Sequence, residues 1–166
     1  MRLCIALLLC ASTLASAEVA YDKEVNCLAE NIYHEARSQG DSGRVAVAHV
    51  TINRVLSKRF PDTVCGVVRQ ARTKPSWKTG KPTPIINKCQ FSWYCDGKVD
   101  SINEPKAWKA SLNVAHDIYF HRIEADIHND TVNGAMWYHA TRVSPYWTSS
   151  MRQVAHIRKH VFYSYK

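Results

Sequence analysis

Acidic side chains are scarce in this sequence. The 166 residues include 14 Asp and Glu against 22 Lys and Arg, a formal net charge of +8, so polyanions are its natural partners. Several fixed-spacing motifs are missing as well. There is no G-x-S-x-G turn to present a nucleophilic serine and no glycine-rich phosphate loop. In "HDIYFH", His116 and His121 lie five apart without the glutamate of a zinc-protease H-E-x-x-H. No C-x2-C pair occurs, and His34, His49, His128, His156 and His160 show no ligand spacing, so neither a metal nor another cofactor is expected. After residue 17 no run approaches 18 consecutive apolar residues, which argues against a permanent membrane span. Repeats and low-complexity tails are absent too, so a single domain is expected.

What is present begins with "MRLCIALLLCASTLASA". One early cation, Arg2, precedes an apolar run from Leu3 to Cys10 and the small-residue ending Ala15-Ser16-Ala17. That is the pattern of a secretory signal cleaved after Ala17. It predicts an exported protein, of the periplasm or of the extracellular space and cell wall, with residues 1–17 as leader and 18–166 as the folded domain. Loss of the leader removes one cation and no acid, leaving the net charge at +7. Outside a cell such a charge meets wall polymers and lipid head groups more often than nucleic acid, and no nucleic-acid partner is expected. The domain is read as a monomer.

Four cysteines remain after the leader: Cys27, Cys65, Cys89 and Cys95. In an oxidising compartment they suggest two disulfides with three possible connectivities. Cys89 and Cys95 are close enough to staple a short loop, which leaves Cys27 for Cys65.

Helical periodicity covers residues 23–38 through Val25, Leu28, Ile32 and Ala36, with Asp22 as N-cap and Gly40 as stop. Residues 43–59 are apolar on most sides and read as a buried central helix. A short helix is expected from Asp62 to about Gln70, a long irregular excursion over 71–104, and another helix over 106–124. "NGAMWYHATRVSPYW" reads as strand or extended loop, and residues 149–160 as a last short helix.

Glu35, in "NIYHEARSQG", sits at the edge of the first apolar stripe. A carboxyl half-wrapped by apolar groups resists ionisation and can remain a proton donor near neutrality. The plainer reading is an exposed glutamate near Arg37 and Arg44. Two aromatic clusters favour the first reading. "CQFSWYCDG" brings Gln90, Phe91, Trp93 and Tyr94 together, and "GAMWYHATRVSPYW" adds Trp137, Tyr138, His139, Tyr146 and Trp147. Aromatic faces beside amides and hydroxyls suit sugar rings. Phe91, Trp137 and Trp147 are assigned to packing, and Gln90, Trp93, Tyr138 and His139 to substrate.

Taken in order, "AENIYHEARSQGDSGRVAVAHVTINRV", "FPDTVCGVV", "CQFSWYCDG", "WYHATRVSPYW" and "HIRKHVFY" resemble the bacterial cell-wall hydrolase family that includes spore cortex-lytic enzymes and many phage endolysins. The resemblance runs from about Cys27 to Tyr163. It implies a compact, lysozyme-like α+β domain, mostly helical with a small β or extended region, that cleaves the glycan strands of peptidoglycan. It places the catalytic acid on Glu35. Relatives continue E-A-R-G-E where this chain has Ser38 and Gln39, so the second acid is missing. Ordinary glycosidases need two carboxylates. A single acid suffices for a lytic transglycosylase, in which the C6 hydroxyl of the muramoyl residue serves as nucleophile and a 1,6-anhydro end forms. A water-using muramidase, a wall-binding protein with a dead site and, more distantly, a metal-dependent amidase are the alternatives.

Overall fold

A computed structural model describes the backbone of residues 3–166 and the side chains from Glu18 onward. The side chains of residues 1–17, which the sequence reads as a leader, lie outside the described residues. Helix α1 (Leu3–Ala36) runs through Asp22 instead of starting there. The residues before Asp22 are themselves good helix formers, so no break calls for a cap. Asp22 instead offers its main-chain oxygen to Asn26 Nδ2 at 2.8 Å. The stripe read from the sequence holds: Val25, Leu28, Ile32 and Ala36 are buried, and Ala29 is buried beside them.

Gly40 opens the next helix after a three-residue turn. Helix α2 (Gly40–Val55) starts on Gly40 in the left-handed region, with φ +67°. A Cβ on Gly43 would lie 2.3 Å from Gln39 Cβ, so the tight entry into α2 requires glycine there. As expected, α2 is the central buried helix. Its Ala48 and Ile52 pack into a helical core with Leu28, Ile32, Val68 and Ala115. Its Ala46 and Val50 pack the other way, against Val132, Ala135 and Phe162 under the sheet. Each fully buried Leu, Ile or Phe side chain in these clusters contributes about 1.5–3 kcal/mol.

The third helix, α3 (Val64–Val68), is shorter than its sequence suggests and is capped by Thr63, whose hydroxyl accepts from Gly66 N at 3.1 Å. The Cys27–Cys65 bridge, with Cα atoms 5.2 Å apart, pins α3 to α1. Both disulfides form as the spacing suggests.

Residues 71–104 are more ordered than expected. An antiparallel ribbon of β1 (Ala71–Pro75) and β2 (Pro82–Cys89) leads into a 3-10 turn over Ser92–Cys95. Pro75, Pro82 and Pro84 lack the N–H that the interior of a sheet would require. A two-stranded ribbon is all edge, and tolerates them. Helix α4 (Pro105–Tyr119), with proline in its first turn, continues as a π-helical turn over Phe120–Glu124.

The C-terminal region corrects the sequence reading. Residues 149–160 do not form a helix. After β3 (Trp137–Ala140) and a 3-10 turn at Tyr146–Ser150, the chain makes the hairpin β4 (Met151–Ile157) and β5 (His160–Tyr165). The order in the sheet is β3-β5-β4, all antiparallel. Met151, Val154, Ala155 and Ile157 fit a helical period and a bulged strand equally well over so short a run. Pairing with β5 decides, because β5 covers the apolar face of α2 through Phe162.

Candidate active site

Glu35 lies in the last turn of α1, and the plain reading of it as a surface ion-pair partner fails. Arg37 pairs with Glu104 at 2.7 Å, and Arg44 with Asp41 at 2.7 Å. Glu35 instead turns into a cleft of about 170 Å³, where it meets Arg54, Tyr138 and the segment from Cys89 to Ser92. It is the one carboxylate among the described residues lining that cleft.

Three elements converge there. Strand β3 supplies Tyr138, whose hydroxyl donates to Glu35 Oε2 at 2.9 Å. Helix α2 supplies Arg54 from its last turn, 4 % exposed. Its Nε donates to Met136 O at 2.8 Å, and its guanidinium lies 4.9 Å from the Phe91 ring centroid and 5.3 Å from that of Phe60. The Nη1 of Arg54 is buried with no hydrogen-bond partner. The Cys89–Cys95 disulfide holds the third wall, with Phe91 buried behind Gln90.

The electrostatics of Glu35 follow from this enclosure. Removal from water raises its pKa above the ordinary carboxyl value, while the Tyr138 hydrogen bond and the charge of Arg54 pull it partly back. Burial and the neighbouring carboxyl raise the pKa of Tyr138 well above that of a free phenol, so it stays a donor. The arrangement favours a protonated Glu35 more than water would, and still offers two groups that stabilise the anion once that proton has left.

The other residues singled out from the sequence divide. Gln90 lines the cleft with Glu35. Trp93 lines a second recess of about 310 Å³ with Glu30, His34, Arg69 and Asp100. Its indole stacks on His34 at 4.4 Å and donates from Nε1 to Asn31 Oδ1 at 3.0 Å, while buried Asn31 donates onward to Thr51 Oγ1 at 3.0 Å. The two recesses are contiguous along the chain, since His34 precedes Glu35 and Trp93 follows Ser92. His139 is not in the cleft. Alternation along β3 turns it away from Tyr138, and it donates from Nδ1 to Ala140 O at 2.9 Å and accepts from the Tyr163 hydroxyl at 3.0 Å. Phe91, Trp137 and Trp147 pack, as assigned; Trp147 meets Tyr163 edge-on at 5.3 Å.

Gln39, where relatives carry the second acid, also stays outside the cleft. Its side-chain oxygen accepts from Lys159 N at 3.3 Å and ties the α1–α2 turn to the β4–β5 hairpin. Arg54 is the residue that sequence reasoning missed. It carries no local signal, because an arginine in the last turn of a helix is ordinarily solvated. A wider recess, about 610 Å³ between Arg44 and the start of α4, offers as its one acid Glu104, already paired to Arg37.

A helical core and a three-stranded antiparallel sheet closing on one enclosed carboxyl define a lysozyme-like α+β domain. The chain belongs to the cell wall hydrolase family, whose model matches residues 38–163, a span that opens just after Glu35. It is 28% identical over 142 residues to a spore cortex-lytic enzyme of Halalkalibacterium halodurans, covering 85% of this chain and 34% of that protein. The chain thus spans about a third of that relative's length. Among solved structures it resembles the catalytic domain of Bacillus cereus SleB, with a TM-score of 0.58 and 26% identity over 86% of this chain and 91% of the other. The catalytic domain of the germination-specific lytic transglycosylase SleB of Bacillus anthracis is similar at a TM-score of 0.57 and 26% identity, over 85% and 93% of the two chains.

Proposed function

We propose that this protein cleaves the glycan strands of peptidoglycan as a lytic transglycosylase, with Glu35 as acid and then base. The observation that carries the reading is a single enclosed carboxyl, hydrogen-bonded by Tyr138, in a cleft without a second acid. A hydrolytic mechanism of the ordinary kind has no second carboxylate there to serve as nucleophile or to activate water. Similarity to a spore cortex-lytic enzyme and to a lytic transglycosylase domain supports the same substrate and reaction.

In the proposed cycle protonated Glu35 gives its proton to the glycosidic oxygen between N-acetylmuramic acid and N-acetylglucosamine. The bond from muramoyl C1 to that oxygen breaks, and the N-acetylglucosamine leaves with a free 4-hydroxyl. The muramoyl C6 hydroxyl then closes on C1 and loses its proton to the Glu35 carboxylate, which restores the enzyme. The product is a 1,6-anhydro end, and no water is consumed. Tyr138 and Arg54 favour the Glu35 anion between the two transfers. Gln90 holds ring substituents at the cleft, and Trp93 presents an aromatic face to the next sugar along. His139 supports β3 from behind. Residues 1–17 are a cleaved export signal and 18–166 the domain that acts on the wall; the amino terminus of the exported protein should be Glu18.

Mass spectrometry of purified peptidoglycan after digestion tests the reaction. Anhydro-muropeptides, absent with Glu35→Gln, are the expected result. Reducing ends instead would make the protein a muramidase of the same fold, and binding without soluble product a wall-adhesion protein.

A further inference from the structure

Apart from Cys89, its last residue, the β1–β2 ribbon has no part in the cleft, and none of it belongs to either core cluster. It is also the most one-sided stretch of the chain. Between Asp62 and Asp96 there is no acid, while Arg72, Lys74, Lys78, Lys81 and Lys88 fall on the ribbon and its turn. None of these five cations is ion-paired among the described residues. At the tip, Trp77 is 90% exposed, with Lys78 Nζ 5.1 Å from its ring centroid.

We propose that this ribbon docks the protein on an anionic phospholipid surface, with Trp77 entering the head-group layer and the flanking lysines meeting lipid phosphates. An exposed tryptophan is costly in water and favourable at a membrane interface, where its ring is apolar and its N–H stays wet. Clustered lysines add attraction to anionic head groups that decays within a Debye length. A soluble polyanion would use the charge and leave the indole in water. A protein strand added to the ribbon edge is disfavoured as well, because Pro75 pairs with Pro82 at the outer end and neither has an N–H. The tip is already shaped: Ser76 N donates to Lys81 O and Gly80 N to Ser76 O, each at 2.8 Å. Little ordering remains to oppose binding. This is peripheral attachment, since no helix among the described residues is long and apolar enough to cross a membrane.

The test uses the exported protein, residues 18–166, and large vesicles of phosphatidylcholine with or without phosphatidylglycerol, some carrying doxyl-labelled acyl chains. Wild-type protein should co-sediment with the anionic vesicles only, and binding should fall as salt rises. The doxyl lipid should quench a fraction of the tryptophan fluorescence that disappears in Trp77→Phe. Lys78→Glu with Lys81→Glu should weaken binding at least tenfold, since each cation near such a surface contributes about fivefold. Both variants lie outside the cleft and should digest soluble glycan at the wild-type rate, so the result is independent of the reaction proposed for Glu35. Equal quenching in wild type and Trp77→Phe would overturn the proposal. So would equal binding to neutral vesicles, or binding confined to purified anionic wall polymer.

Discussion

Tyr138 and Glu35 stand 103 positions apart in the sequence and share one hydrogen bond of 2.9 Å, phenol to carboxyl oxygen. Burial drives Glu35 towards the neutral acid, and this bond drives it towards the anion. Tyr138→Phe removes the second influence alone. The pKa of Glu35 should rise, and the alkaline fall of kcat/KM, where the acid loses its proton, should move to higher pH. The rate at neutral pH should drop roughly tenfold, the worth of one bond to an ionised group. Digestion of solubilised glycan across pH reads both effects.

Glu35→Gln should lower muropeptide release by at least about a hundredfold, the usual contribution of a positioned proton donor. The same variant should be more stable than wild type at neutral pH. Glu35 titrates higher in the folded protein than in the unfolded chain, so in the window above the ordinary carboxyl value of 4.5 the folded state binds more proton. Stability therefore falls as pH rises through that window, and glutamine escapes the loss. Urea midpoints of the two proteins should converge as the pH drops below that value.

His49 gives the opposite slope. It is 1% exposed, and burial holds its pKa down at about 4, against 6.5 in the unfolded chain. Its Nδ1 accepts from Thr131 N at 3.2 Å, a contact only the neutral ring can make. Below the unfolded value the unfolded chain takes up the proton first, so stability should fall by about 3 kcal/mol as pH goes from 6.5 to 4 and then level off. His49→Gln should flatten that part of the urea-midpoint profile.

The two disulfides should separate stability from activity. Cys27–Cys65 closes 38 positions and Cys89–Cys95 closes 6. Chain entropy assigns them about 4 and about 2 kcal/mol. Cys27→Ser with Cys65→Ser should therefore cost more in thermal midpoint. Cys89→Ser with Cys95→Ser should cost more in rate, roughly tenfold, because that bridge sets the wall carrying Gln90 and Phe91.

Much of the helical half was legible because its burial is one-sided: Val25, Leu28 and Ile32 announce a face. The C-terminal hairpin was not. Its apolar residues fit either period, and the partner that settles the matter, β5, sits across a turn with Arg158 at φ 55°. In the cleft Glu35, Gln90 and Tyr138 could be picked by residue type and motif. Arg54 could not, since nothing local separates a cation aimed at a carboxyl from one on a solvated face. His139 stands beside Tyr138 in the sequence, but the pleat of β3 turns it away from Glu35 and onto Tyr163.

Helix α2 is greased on both sides, one towards the helices and the other towards the sheet. A protein whose two halves shared only a hinge could open like a clam to admit a polymer. Here such a motion would strip Ile52 or Val50 of its packing. Under the function proposed above, a glycan strand would therefore meet a fixed jaw, and any give would have to come from the rim, where Gln90 and the ribbon beyond it are exposed.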